Sequence, residues 1–132
     1  MRIDHVAIWT NDLERLKEFY RDRLGGQPGE KYQNHAKGLE TYFLRFGDGA
    51  RLEIMRRPEV GLREGAGDYP RGYAHLALSV DNPQAVDAAV ARLKAAGVVV
   101  QGEPRWTGDG YYEAVVLDPD GNRIEIVAER RA

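Results

Sequence analysis

The sequence predicts an α+β fold of two βαβββ modules, and three observations predict it. A strand, a helix and three further strands can be read twice along the 132 residues. Two strings recur with that plan. Ile3-Asp4-His5-Val6-Ala7-Ile8 matches Tyr73-Ala74-His75-Leu76-Ala77-Leu78, and Asp48-Gly49-Ala50-Arg51-Leu52-Glu53-Ile54-Met55 matches Asp120-Gly121-Asn122-Arg123-Ile124-Glu125-Ile126-Val127. The offset is 70 at the histidines and 72 at the glutamates, so the repeat slips by two residues between its first and last strands. Between the halves, Pro58, Gly61, Gly65, Gly67 and Pro70 punctuate a linker over 58–71. That leaves module one over 1–57 and module two over 72–129 of a single domain, 1–132.

The elements follow in order. Residues 3–9 alternate and are rich in Val, Ile and Trp, which predicts a strand. Asn11 and Glu14 form a capping-box pair ahead of Leu13, Leu16, Tyr20 and Leu24 at helical spacing, and Gly25-Gly26 stops the helix. Residues 27–37 read as a polar loop. The strands 42–46 and 51–55 then flank Asp48-Gly49 as a hairpin. In the second half a strand runs over 73–80. Asn82 caps a helix that begins at Pro83, buries Val86, Ala89, Val90 and Leu93, and ends at Gly97. Val98-Val99-Val100 reads as the next strand, and 112–117 pairs with 122–127 across Asp120-Gly121.

Composition narrows the function. One domain's length buries a real core. A net charge of −2 with interspersed signs offers no basic face for nucleic acid and no polybasic membrane anchor. No apolar run approaches the ~20 residues of a bilayer span. No leader peptide is legible after Met1, and zero cysteines remove disulfides, thiolate ligands and a cysteine nucleophile together. A cytoplasmic protein is expected.

Side-chain parity selects the candidate site. Along 51–55, Leu52 and Ile54 belong to the helix-facing core, so Glu53 points to the opposite face with Arg51 and Met55. Strand 123–127 repeats this for Glu125, and His5 and His75 are out of phase with the core positions Val6/Ile8 and Leu76/Leu78. Two imidazoles and two carboxylates on one type of face suit a divalent metal. The bland alternative is a wet face on which the glutamates pair with Arg51 and Arg123. His35 has no repeat mate and reads as exposed. Trp9, Met55 and Trp106 are candidate walls for an apolar or aromatic substrate, and a cross-strand aromatic cluster is the alternative for Trp106.

Together, His5, the string Gly72–Val80 and Asp118-Pro119-Asp120-Gly121-Asn122-Arg123-Ile124-Glu125 resemble the vicinal oxygen chelate superfamily over roughly residues 2–128. That superfamily includes glyoxalase I, extradiol dioxygenases, methylmalonyl-CoA epimerase and the fosfomycin and bleomycin resistance proteins. The resemblance implies two modules whose curved mixed sheets surround a metal-binding cleft. It carries a ligand set of His5, Glu53, His75 and Glu125 in the pattern of the bacterial glyoxalase I branch. The implied cofactor is one divalent ion per site, nickel or zinc first, with cobalt, manganese or iron acceptable; glutathione or another thiol is the implied cosubstrate. A detachable Glu125, with Glu53 opposite, would move a proton through an enediolate of a hemithioacetal. The family's homodimer, with metal sites shared between chains, is implied as well. Two positions depart from the pattern. Trp9 stands where the branch has an arginine, and Met55-Arg56-Arg57-Pro58 lacks its asparagine, so the glutathione clamp is expected to be altered or absent. An epimerase or extradiol-type dioxygenase, identifiable by iron and oxygen uptake, is the alternative enzyme. A drug-binding resistance protein without catalysis is the alternative binder.

Overall fold

Short-range hydrogen bonds start and stop each helix, and the sheets then sort their faces by burial. The computed structural model describes residues 1–61 and 71–128. Its contacts divide into two compact units, Met1–Glu64 and Gly65–Ala132. Most of the expected linker 58–71, and the end of module two at 129, lie outside the described residues. Among the described residues no helix is long and apolar enough to cross a membrane.

The first unit contains β1 (His5–Trp9), α1 (Leu13–Asp22), β2 (Gln27–Pro28), β3 (Tyr32–Asn34), β4 (Leu39–Arg45) and β5 (Arg51–Arg56). The strand order is β1-β5-β4-β2, with β3 also on β4. β1 runs parallel to β5 and the other pairs are antiparallel, so the sheet is mixed. The α1 cap is Asp12 rather than Asn11: its carboxylate accepts from Arg15 N at 3.1 Å. Thr10 Oγ1 accepts from Asp12 N at 3.1 Å and delays the helix by one residue. Glu14 then falls a position too early for a capping box. It accepts instead from Tyr42 Oη at 3.0 Å and Lys17 Nζ at 2.8 Å.

The expected loop 27–37 holds β2 and β3, which pair with Arg45/Leu44 and Thr41/Glu40/Leu39 of β4. Pro28-Gly29 splits them into pieces too short to show a period. In the hairpin that follows, the positive φ of 60° belongs to Gly47 rather than Gly49. The connection therefore spans 46–50 and is no two-residue turn.

The second unit contains β6 (Leu76–Val80), α2 (Pro83–Ala95), β7 (Val100–Trp106), β8 (Tyr112–Leu117) and β9 (Arg123–Ala128), in the order β6-β9-β8-β7. β6 is parallel to β9. Asn82 Oδ1 accepts from Ala85 N at 2.8 Å, with Pro83 in the first turn, as the sequence predicts. The next strand begins later than expected, because Val98 N is taken by Leu93 O at the helix end. It also runs further, to Trp106. The Asp120-Gly121 turn is built around buried Asp118, which accepts from the backbone of Asp120 and Asn122, both at 2.9 Å. Gly121 takes a φ of 82° there, a value that penalises any side chain.

Each sheet turns one face to its helix. Leu16, Tyr20, Leu44, Leu52 and Ile54 are buried in the first unit, and Val86, Leu93, Val116, Ile124 and Ile126 in the second. Each such aliphatic side chain contributes about 1.5–3 kcal/mol by leaving water. This burial fixes strand register, because a one-residue slip would exchange Leu52 and Ile54 for Glu53.

Candidate metal centre

In the first unit, register brings His5, Ala7 and Trp9 alongside Arg51, Glu53 and Met55, and Phe43 opposite Glu53. Leu52 and Ile54 are 3% and 0% exposed on the helix side, which sends Glu53 to the other face. His5 Nε2 lies 3.7 Å from Glu53 Oε1. The other ring nitrogen, Nδ1, is 2.7 Å from Asp4 Oδ2. Arg51 Nη2 donates to the same oxygen at 2.9 Å. The His5 bond first, and Arg51 second, hold the Asp4 carboxyl below the usual range. An ionised Asp4 accepts from Nδ1–H, which leaves the lone pair on Nε2, on the side of Glu53. Phe43 steadies the group: the His5 ring meets it edge-on at 5.3 Å, and the Arg51 guanidinium lies 4.4 Å from its centroid.

The second unit repeats the pair with different surroundings. His75 Nε2 is 3.3 Å from Glu125 Oε2. Glu125 stands opposite Val115 on β8, and Glu113 is diagonal to it, opposite Val127. Glu113 is only 8% exposed. Burial pushes the Glu125 carboxyl above its usual range and His75 draws it back. The Glu113 carboxylate, near enough to share a hydrogen bond, adds to the rise, while Arg105 opposes it. An open cavity of about 610 Å³ begins at His75 and Glu125 and continues over Val115 and Gly102 between Arg105 and Arg123.

The remaining expected residues sort clearly. Trp9 and Met55 are register partners on the Glu53 face and form one apolar wall. Trp106 is elsewhere. It pairs with Tyr112, ring centroids 5.1 Å apart, and Tyr112 Oη donates to Asp87 of α2 at 2.7 Å. That is the helix side of the sheet, so Trp106 is not brought to Glu125, and the aromatic cluster accounts for it. His35 is exposed. Arg51 is engaged by Asp4 rather than held as a counter-ion for Glu53. The sequence reading missed Asp4, Phe43, Arg105 and Glu113. For Glu113 the signal was present: it is two residues before Val115 on an alternating strand, hence on the same face.

Chemically, each unit offers one imidazole nitrogen, from His5 at the start of β1 or His75 just before β6, and one carboxylate oxygen from the adjacent last strand. Among the described residues no group of three or more His, Asp or Glu could hold a metal. Neutral Nε2 and carboxylate oxygen are donors that nickel, zinc and cobalt accept. The donor chemistry therefore fits a divalent ion.

Comparison with known proteins adds four findings. Residues 2–126 match the family described as the glyoxalase/bleomycin resistance protein/dioxygenase superfamily. The chain is 32% identical to a protein of Vibrio cholerae named probable lactoylglutathione lyase, covering 99% of this chain and 93% of that one. It is 30% identical to the lactoylglutathione lyase of Escherichia coli O157:H7, covering 100% and 96%. Among solved structures, the trypanothione-dependent glyoxalase I of Leishmania major superposes with a TM-score of 0.77 at 28% identity, covering 98% of this chain and 87% of that one.

Proposed function

The chain belongs to the glyoxalase/bleomycin resistance protein/dioxygenase superfamily, and from that footing we propose that it is a divalent-metal-dependent, glyoxalase I-like lyase acting on a hemithioacetal. The observation that carries the proposal is the repeated pair, His5 with Glu53 and His75 with Glu125, each imidazole Nε2 within 4 Å of a carboxylate oxygen. Names of full-length relatives as lactoylglutathione lyases support the reaction class.

In this reading His5, Glu53, His75 and Glu125 hold one ion, nickel or zinc by preference. The resemblance to the glyoxalase I branch extends this reading to a homodimer whose protomers complete each other's sites. Bound there, a divalent ion would supply Lewis-acid polarisation of the substrate's oxygens. Glu125 takes the proton from one carbon and returns it to its neighbour, and no net redox change occurs. Glu53 stands as its counterpart. Asp4 fixes the His5 tautomer. Trp9 and Met55 accept an apolar substituent, and a thiol such as glutathione forms the adduct.

The test is isomerase activity with methylglyoxal and glutathione, on metal-free protein reloaded separately with nickel, cobalt, zinc and manganese. Metal-dependent turnover that falls at least about 100-fold in Glu125→Gln supports the proposal. Tight metal binding without turnover would sink it.

A further inference from the structure

We infer that Arg105 is a further catalytic residue, whose guanidinium donates to the substrate oxygen on which negative charge builds as Glu125 takes its proton. This deepens the function proposed above and rests on it in taking Glu125 as the base.

Strand register is the first argument. Gly102 of β7 stands opposite Val115 of β8, and Val115 stands opposite Glu125 of β9. All three positions therefore share the Glu125 face. On an unbroken strand Pro104 and Trp106 would follow Gly102 on that face, and Arg105 would point to the helix. The partner of Glu113 is nevertheless Arg105, so three steps along β7 match two along β8. This extra residue exchanges the faces. Trp106 goes to Tyr112 on the helix side, and Arg105 comes over to the side of Glu113 and Glu125. Bulges that re-aim a single side chain in this way are over-represented beside active sites.

Reach is the second argument. The Arg105 side chain folds back along β7: its Nη1 lies 3.5 Å from the Glu113 carbonyl oxygen, and a Cβ added to Gly102 would meet it at 3.6 Å. Glycine at 102 thus leaves the guanidinium room at the level of Val115, which is also the level of Glu125. Arg105 is exposed, and it lines the open cavity of about 610 Å³ together with Glu125. Strands β7 and β9 lie two spacings apart, about 10 Å. A contact of about 3 Å at each wall leaves about 4 Å between the two substrate atoms held there. That is the span of a small reacting fragment rather than of a distant arm.

The fold itself does not ask for a cation at this place. In the first unit Tyr32 stands opposite Thr41, and Thr41 precedes Glu113 by the repeat offset of 72. Tyr32 therefore holds the position of Arg105, and the His5–Glu53 pair forms with a phenol there. In the reaction, Glu125 takes the proton from carbon and the C–H electron pair moves onto the neighbouring carbonyl oxygen. Arg105, ionised at every working pH, donates to that oxygen until the proton returns. Removing a fixed donor of this kind costs about 10²–10³ in turnover.

Two readouts on full-length protein test the inference. In nickel-loaded protein with methylglyoxal and glutathione, Arg105→Gln should lower kcat by about 100-fold and change KM by less than about threefold. Arg105→Lys, which keeps the charge, should recover part of that loss. In metal-free protein the probe is oxalate, a planar dianion with adjacent oxygens. It should shift the Arg105 Nε–Hε resonance saturably and bind at least about tenfold more weakly to Arg105→Gln. An unaltered kcat in Arg105→Gln, or an Arg105 resonance that oxalate leaves unmoved, would overturn the inference. Failure of the proposed function gives a different result: no turnover by the unaltered protein with any metal, while oxalate is still held by Arg105.

Discussion

His75 Nε2 stands 3.3 Å from Glu125 Oε2, and the repeat-related His5 Nε2 stands 3.7 Å from Glu53 Oε1. His5 opens the first strand of its unit and His75 immediately precedes that of the other, and each faces the middle of the unit's last strand, so the parallel β1–β5 and β6–β9 pairings set the spacing. The helix-side cores hold those pairings in register, and the donors inherit their positions from buried leucines and isoleucines.

In the proposed function, Glu125 is a site where function works against stability. Its carboxyl is raised above the usual range by burial, with Glu113 adding to the rise. The sign follows directly: a carboxyl with a raised folded value stabilises while protonated, below its unfolded value, and loses that stability as pH rises through the folded one. In chelator at neutral pH, Glu125→Gln should melt a few degrees above the unaltered protein while losing metal affinity. A lower melting temperature in chelator would count against this description.

Asp4 is expected to act through His5. Asp4→Asn removes the ionised acceptor that fixes the Nδ1–H tautomer, and should weaken metal binding by about 10–100-fold without unfolding the protein. Ala74 occupies the matching place in the second unit, so Ala74→Ser should change affinity far less. Titration calorimetry with nickel reads both.

Glu14 links α1 to the sheet. Lys17, then Lys31 and Tyr42, draw its carboxyl down to about 2 from an ordinary 4.5. A depressed carboxyl contributes stability above its unfolded value, and that contribution is lost as pH falls from 4.5 towards 2. The side chain is 48% exposed, so solvent screening limits the cost of Glu14→Gln to under about 1 kcal/mol at pH 7. Denaturation curves of the two proteins should converge in acid, and added salt should narrow the gap at pH 7.

Much of this was legible in the sequence because the repeat and the strand parity are both properties of residue order. His5, Glu53, His75 and Glu125 stand out at matched offsets, and alternation with Leu52/Ile54 and Ile124/Ile126 assigns the faces. Asn82-Pro83 gives the α2 cap for the same local reason. What was not legible depended on chain geometry. Thr10 shifted the α1 cap to Asp12, and Pro28-Gly29 cut a strand into pieces without a period. The direction of Trp106 was set by its pairing with Tyr112 across a strand with irregular register. Alternation with Val115 puts Glu113 on the Glu125 face, but its diagonal nearness to Glu125 depends on the β8–β9 register, which residue order alone does not give.

Shared sites make a sharp prediction for mixed chains. His5→Ala and His75→Ala proteins should each be nearly inactive alone. In a shared-site dimer, one site of a mixed dimer would lack both histidines and the other would keep all four donors. Mixing after mild unfolding should therefore recover up to about a quarter of unaltered activity, since half the dimers are mixed and half their sites intact. Failure to recover activity above either parent, with mixed dimers demonstrated, would argue for sites within one chain.

The measurement that bears most directly on the whole account is nickel binding to metal-free protein, compared with His5→Ala, Glu53→Gln, His75→Ala and Glu125→Gln. The account predicts one ion per chain, and a loss of at least about 100-fold in affinity for every one of the four variants. Unaltered affinity in either the His5/Glu53 variants or the His75/Glu125 variants would contradict it, because the two pairs would then not serve the same ion.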